Sequence, residues 1–363
     1  MRRRMAQKQR GVALLVVLIL LVMMSVLASR ISQQFCRNVQ KIHYQNSQQQ
    51  LRWAIQAQMP VIEQILHEEG GGEDKPLQTE GIWQEPVETL GEHYRVVSQV
   101  VDAQHCFNVN SLLATEGTDS PEPSAPETAS PKSAEKPTAT TQTTAIAPPQ
   151  GIAEKPRQQL ILQKLLENAG MSSMSAEQVY DQLVDYLDPD ETTVKGEQES
   201  DAWTAINAPQ LPGNQMMRTL NELRLLPAFP AKSWVKVSRV LCALPDTTNK
   251  VNINTLTEAQ APLLAALLEG ALTEDDAMRV IASRPKEGWE SVQAFEKQLE
   301  EQFSVKKESL EQSREFIGIN SQYFTVNSTG STDALTLRVV TQLHLDSGSG
   351  EVKVWQRRYR MIE

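Results

Sequence analysis

The chain has 363 residues, 45 acidic against 35 basic, for a formal net charge of −10. That length has room for two or three domains, and the acidic balance argues against a body that grips nucleic acid or anionic lipid heads. Three cysteines are too few for a disulfide-held scaffold and allow one bridge with one thiol left over.

Five bases and no acid occupy the first ten residues (Arg2, Arg3, Arg4, Lys8, Arg10). Gly11 follows, then a 17-residue run from Val12 to Ala28 that only Ser25 interrupts. As a helix that run rises roughly 25 Å, slightly under the bilayer's hydrocarbon thickness of about 30 Å. The bases are expected to stay in the cytoplasm, which places everything downstream across the membrane. Three readings compete. A secretory signal peptide would be cut at Val26-Leu27-Ala28. An uncleaved anchor would keep the whole segment. The order bases, glycine, apolar run resembles a type IV prepilin leader, cut after Gly11 so that the apolar helix remains as the new N-terminus. The pattern beyond Ala28 favours the last: Ile31, Phe35, Val39 and Ile42 recur at steps of three and four, and no Pro or Gly appears before Pro60. A membrane helix then runs into an amphipathic stem reaching about His67, with a bend expected at Pro60. Cleavage after Gly11 leaves 30 bases against 45 acids, a net of −15.

Residues 68–80, with Gly70-Gly71-Gly72, read as a loop. His93–Val101 is rich in β-branched residues and reads as a strand, with Cys106–Asn110 as a second extended piece. Thr115–Pro156 carries eight prolines and no aromatic residue, so it is expected to be a disordered insertion. From Gln158 to about Phe316 the apolar period is helical. Tyr323–Val326 returns to period two, and Leu335–Leu345, the turn D-S-G-S-G and Val352–Trp355 read as a hairpin. Strands before and after a helical block give an α+β fold: a pilin-like N-terminal transmembrane and stem helix packed on an antiparallel sheet, with a large all-α domain inserted between strands. The boundaries expected are a leader at 1–11, a transmembrane segment at 12–28, stem and first strands at 29–110, the Pro-rich insertion at 115–157, the helical domain at 158–318 and closing strands at 319–363.

An internal repeat marks that domain. Phe107-Asn108-Val109-Asn110-Ser111-Leu112 and Val251-Asn252-Ile253-Asn254-Thr255-Leu256 share one form, each opening a helix with Ser111 or Thr255 near its N-cap. The second copy resembles the entry to a helix-hairpin-helix or SAM-like module. Its segment 251–303 holds 10 acids and 4 bases, where phosphate binding needs the opposite sign, so no nucleic acid is expected. The loop after the second helix of the block reads D-Y-L-D-P-D-E-T-T-V-K-G-E-Q-E-S-D. Counted from Asp188, Asp190 falls third and Glu199 twelfth, as in a calcium loop, although Thr193 stands where that loop wants glycine. Clustered carboxylates repel unless a hard cation intervenes, which makes Asp188, Asp190, Glu197, Glu199 and Asp201 candidate calcium ligands; a solvated acidic loop is the plainer alternative. Cys106 and Cys242 are the pair to test for a disulfide, since Cys36 sits on the stem; three free thiols remain the alternative. The five histidines are scattered, and no nucleophile elbow, P-loop or dinucleotide fingerprint appears, so no catalysis is expected.

Taken together, the parts resemble the minor pseudopilin K family of the type II secretion system. The leader R-G-V-A-L-L-V-V-L-I-L-L fits, as do D-Y-L-D-P-D, I-N-A-P (Ile206–Pro209), L-N-E-L-R-L-L (Leu220–Leu226) and I-N-S-Q-Y-F (Ile319–Phe324). Most pilin-like subunits carry Glu at the fifth position after the cut, and this family lacks it; here that position is Val16. The Pro-rich tract departs from the family, and G-E-Q-E-S-D only loosely follows its Gly-Ala-Glu-Asp. The resemblance implies cleavage after Gly11 by prepilin peptidase and N-methylation of Val12. It implies residence in the inner membrane of a Gram-negative cell with the bulk in the periplasm, bound calcium, and minor pseudopilins I and J as partners. It also implies a place at the pseudopilus tip. The alternative is a periplasmic binding or adaptor protein released by ordinary signal peptidase after Ala28.

Overall fold

The computed structural model describes residues 8–69, 76–79, 81–115, 156–206 and 211–362. Residues 1–7 of the leader, the 70–72 loop, residues 116–155 of the expected disordered insertion and Asn207–Pro209 lie outside the described residues. In chain order, the helix α1 (Lys8–Glu69) is followed by β1 (Val87–Leu90), β2 (Arg95–Asp102) and β3 (Phe107–Asn108). Next come α2 (Arg157–Asn168), α3 (Ser173–Leu187), α4 (Glu199–Ala205), α5 (Trp234–Val237), β4 (Leu241–Cys242) and β5 (Val251–Asn252). The helices α6 (Ala261–Leu267), α7 (Glu274–Ala282), α8 (Val292–Phe303) and α9 (Lys307–Ser313) precede β6 (Ile317–Gly318), β7 (Tyr323–Ser331), β8 (Thr336–Leu345) and β9 (Val352–Ile362).

Two compact units result: Met1–Gly70 with Gly81–Val101 and Phe324–Glu363, and Gly71–Glu80 with Asp102–Tyr323. In the first, five strands run in the order β1-β2-β7-β8-β9, so the second unit is inserted between two adjacent strands. β8 buries alternate residues (Leu337, Val339, Thr341, Leu343, Leu345), the period-two signature of a sheet with one covered face. The cover is the stem: Leu51, Ala54 and Ile55 pack with Val96, Leu335, Leu337 and Val339. Burying each such aliphatic side chain contributes about 1.5–3 kcal/mol. Gln58, buried among them, is fully used. Its Nε2 donates to Thr89 Oγ1 at 2.8 Å and the Val87 carbonyl at 3.1 Å, and its Oε1 accepts from Ser98 Oγ at 2.6 Å. The stem helix continues through Pro60, where one backbone hydrogen bond is given up between buried Met59 and Ile62.

The second unit has its own core and is built twice over. Phe107–Asn108 pair in parallel with Leu241–Cys242, and Val251–Asn252 pair in parallel with Ile317–Gly318. Asn110 clasps the backbone of Met217, accepting from its N–H at 2.8 Å and donating to its carbonyl at 2.9 Å. Asn254 does the same to Trp289, at 2.8 and 3.0 Å. In each copy the clasped residue lies two before a capping Thr219 or Ser291 that starts the next helical turn. The first helices of the copies, α2 and α6, pack together.

One boundary moves. The residues from Asp102 to Asn110 belong to the helical unit, not to the sheet domain expected over 29–110, because the extended piece after Cys106 finds its partner strand at Leu241–Cys242. The return falls at Phe324 and not at 319. Within the stretch whose apolar period reads as helical, Leu220–Leu225 is a 3-10 segment.

Candidate functional site

The acidic loop is set by local rules. Ser172 caps α3, its hydroxyl accepting from Ser175 N–H at 3.2 Å, and Ala176, Val179, Leu183 and Leu187 bury one face. The helix stops because Pro189 forces its predecessor out of helical space: Asp188 is extended, at φ −68° and ψ 153°. Asp190 then closes an Asx turn by accepting from Thr192 N–H at 2.6 Å. An isolated antiparallel bridge joins Thr192 to Gln198, with Gly196 at φ +82° in the turn between them. Glu199 opens α4, which buried Trp203 anchors 6.4 Å from the Tyr186 ring.

This folding brings one carboxylate oxygen from each of Asp188, Asp190 and Glu199 within 4.8 Å of the others. Asp188 and Glu199 are buried and Asp190 is exposed. Glu197 and Asp201, the other two expected ligands, are not brought into this group: both are exposed, Glu197 on the bridged turn and Asp201 on the first turn of α4. Nearness in sequence put them in the cluster, but the Thr192–Gln198 bridge folds the intervening residues onto themselves. Asn214, which the sequence reading missed, holds the two sides together. Its Nδ2 donates to the Asp190 carbonyl at 2.5 Å and to Glu199 Oε2 at 3.3 Å, from a left-handed backbone at φ +45°.

The electrostatics are unfavourable to three bare charges. Burial raises the Glu199 carboxyl above its ordinary range, and Asp185 and Asp190 add repulsion. Burial also pushes nearby Asp185 up to about 6, although its Oδ1 accepts from Val194 N–H at 2.9 Å. Lys195 is spent on Asp181, at 3.2 Å. Glu199 Oε1 is buried with no hydrogen-bond donor. A hard divalent cation would satisfy that oxygen and relieve the repulsion, so the donor set fits calcium.

The stem carries a different surface. At 100° per residue, Ile31, Phe35, Ile42 and Trp53 fall within about 40° of one another. All four are largely exposed, Trp53 at 72%. Leu51, Ile55, Ile62 and Leu66 take the opposite face and are buried. The stripe is collinear with Val12–Ala28, and α1 is the one helix among the described residues long and apolar enough to cross a membrane. Val16 is exposed within that run, and Gly11 and Val12 lie inside the helix, near its start. Cys106 and Cys242 are joined by a disulfide, 5.7 Å apart at Cα, and Cys36 is a free, exposed thiol.

Two family models match, both described as type II secretion system protein K, over residues 105–246 and 251–311. Those spans follow the two copies of the repeat. The chain is 27% identical over 330 residues to a putative type II secretion system protein K of Escherichia coli K12, covering 91% of each. It is 28% identical over 323 residues to type II secretion system protein K of Klebsiella pneumoniae, covering 88% of this chain and 87% of the relative. The protein K of Pectobacterium carotovorum matches at 26% over 356 residues, 98% of both. Among solved structures, a chain of the GspK-GspI-GspJ complex of the enterotoxigenic E. coli type 2 secretion system superposes with a TM-score of 0.67 at 22% identity. That match covers 88% of this chain and 99% of the other.

Proposed function

Because the chain belongs to the type II secretion system protein K family, and is therefore a minor pseudopilin of that machinery, we propose that it caps the tip of the pseudopilus and helps initiate its assembly. The observation that carries the tip reading is Val16. In a bundle of membrane helices, an N-terminal amine buried without a counter-charge is costly. Cleavage after Gly11 would create such an amine on Val12, which a subunit below can neutralise. With Val16 in place of a carboxylate, this chain has nothing to offer the amine of a subunit above, so a fibre ends on it. The exposed stripe Ile31, Phe35, Ile42 and Trp53 supports packing of the stem against minor pseudopilins I and J. The apolar run suits an inner-membrane anchor with the body in the periplasm.

Calcium binding belongs to the same proposal. Asp188, Asp190 and Glu199 would hold the ion, with Asn214 fixing the last two, and the ion would tie the end of α3 to the start of α4. Calcium supplies a hard double charge that carboxylate and carbonyl oxygens share. The duplicated unit, read as helix-hairpin-helix or SAM-like modules, is kept for packing and protein contact.

Val16→Glu tests the central claim. Secretion of folded exoproteins should fall, and immunogold labelling of the protein should spread from the tip along the fibre. Normal secretion with tip-only labelling would refute the electrostatic account. Mass spectrometry of the native protein should find a methylated Val12 at the N-terminus. A start at Ser29 would mean ordinary signal-peptidase release and a soluble adaptor.

A further inference from the structure

Away from the stem stripe and the acidic loop, the outer face of the sheet concentrates positive charge in an acidic protein. β9 carries Lys353, Arg357, Arg358 and Arg360 and no acid. Its register on β8 sets Arg360 directly opposite Arg338 and Arg358 opposite Val340, on the face away from the buried Val339 and Thr341. Arg338, Arg358 and Arg360 are all exposed. Among the described residues no ion pair joins any of the three to an acid, whereas Arg95 on the same sheet is paired with Glu88.

Like charges directly opposite across two strands oppose pairing, so this arrangement costs stability. Basic residues on an edge strand commonly serve to block edge-to-edge aggregation. That role accounts for Lys353 and Arg358, but not for Arg338, which lies on the interior strand β8 and guards no edge. Arg358 and Arg360, two apart on one face, are about 6.8 Å apart along the strand, and Arg338 stands about 5 Å across from Arg360. Carboxylates at i and i+4 on a helix have nearly that spacing, about 5–6 Å, and guanidinium forks bind carboxylates in pairs.

The height of the cluster selects a protein over a lipid surface. The hairpin turn reaches His67, whose Nδ1 meets the Gly350 carbonyl at 2.8 Å, and β9 runs back until the Tyr359 ring lies 5.0 Å beneath the Arg52 guanidinium. Arg52 is 24 residues beyond Ala28, or about 36 Å along the helix axis. Headgroup charge is screened over about 8 Å at physiological salt. We infer that Arg338, Arg358 and Arg360 form a docking site for an acidic helical segment of a partner protein, its carboxylates at i and i+4. The site does not depend on the tip reading and would serve at any position in the fibre.

The test uses the full chain in detergent and a fluorescent 20-residue helical peptide with Glu at i, i+4 positions. Its controls are the Lys version of that peptide and vesicles containing phosphatidylglycerol. The expected result is binding of the Glu peptide at 100 mM salt. R338Q/R358Q/R360Q should weaken that binding at least tenfold, whereas K286Q/K306Q/K307Q, the same change in charge on the other unit, should change it less than twofold. Equal weakening by both triple variants would reduce the effect to net charge and overturn the site. Binding of the vesicles but not the peptide would assign a lipid and overturn the protein partner. Unaltered peptide binding with new aggregation of the R338Q/R358Q/R360Q variant would leave edge protection as the role.

Discussion

The duplication inside the helical unit predicts a covalent link that the chain does not have. Cys106 precedes the first φ-N-φ-N motif and Cys242 lies on the paired strand β4; the matching positions in the second copy are Lys250 and Gly318. A Cβ built on Gly318 falls 3.7 Å from Lys250 Cβ, close to the mean of about 3.8 Å across natural disulfides. Lys250 is exposed and Gly318 does not need a left-handed backbone, so neither substitution should disturb the fold. The pair K250C/G318C closes a loop of about 70 residues, which the chain-entropy model values at about 4 kcal/mol; engineered bridges commonly deliver about half to all of this. For a unit of this size the melting temperature should rise by roughly 5–15 °C. The background should carry Cys36→Ser, removing the exposed free thiol. Mild oxidation should protect both new thiols from alkylation, and differential scanning calorimetry should show the rise against the C36S parent. Thiols that stay fully reactive in the folded, oxidised protein would refute the equivalence of the two copies.

Three further outcomes follow from the geometry. Gln58→Ala removes bonds to Val87, Thr89 and Ser98 and opens a cavity under the sheet, so chemical denaturation of the stem-and-sheet unit should show a loss of about 2–4 kcal/mol. Titration calorimetry should find calcium binding abolished by Asp188→Ala or Glu199→Ala and little changed by Glu197→Ala or Asp201→Ala; chelation should lower the melting temperature of the helical unit. In the calcium-free protein the native state holds the Asp185 proton more tightly than the unfolded chain does, so this group's contribution to stability falls by about 2 kcal/mol as pH rises from 4 to 6. In urea melts the stability of wild type minus that of Asp185→Asn should fall by that amount over this range, and a rise in wild type relative to the variant would contradict it.

Much of the fold was legible because it rests on periodicity. The β8–β9 hairpin was readable from the alternation over Leu335–Leu345 and the Asp346-led turn, and the stem from its steps of three and four. The repeat could be seen because its asparagines are side chains. What they hold could not: Asn110 and Asn254 grip the backbone of Met217 and Trp289, and a backbone amide leaves no mark on the residue type that bears it. The same reason hid Asn214, whose role depends on a left-handed turn distant in sequence from Asp190. Glu197 and Asp201 were grouped with the others by nearness in sequence alone, and a single short bridge is enough to separate them, whereas the twelve-position count picked out the three carboxylates that meet. Residues 102–110 were assigned to the wrong unit because a two-residue strand has no period to read.

The chain leaves the sheet at β2 and re-enters it at β7, and these two strands are neighbours. Tension carried from the stem into the sheet can therefore cross from one strand to the next by their ladder alone, without passing through the two hundred or so residues between them. The insert is mechanically in parallel with the load path. It is free to lengthen, or to gain a cross-link, without changing how force travels through the sheet.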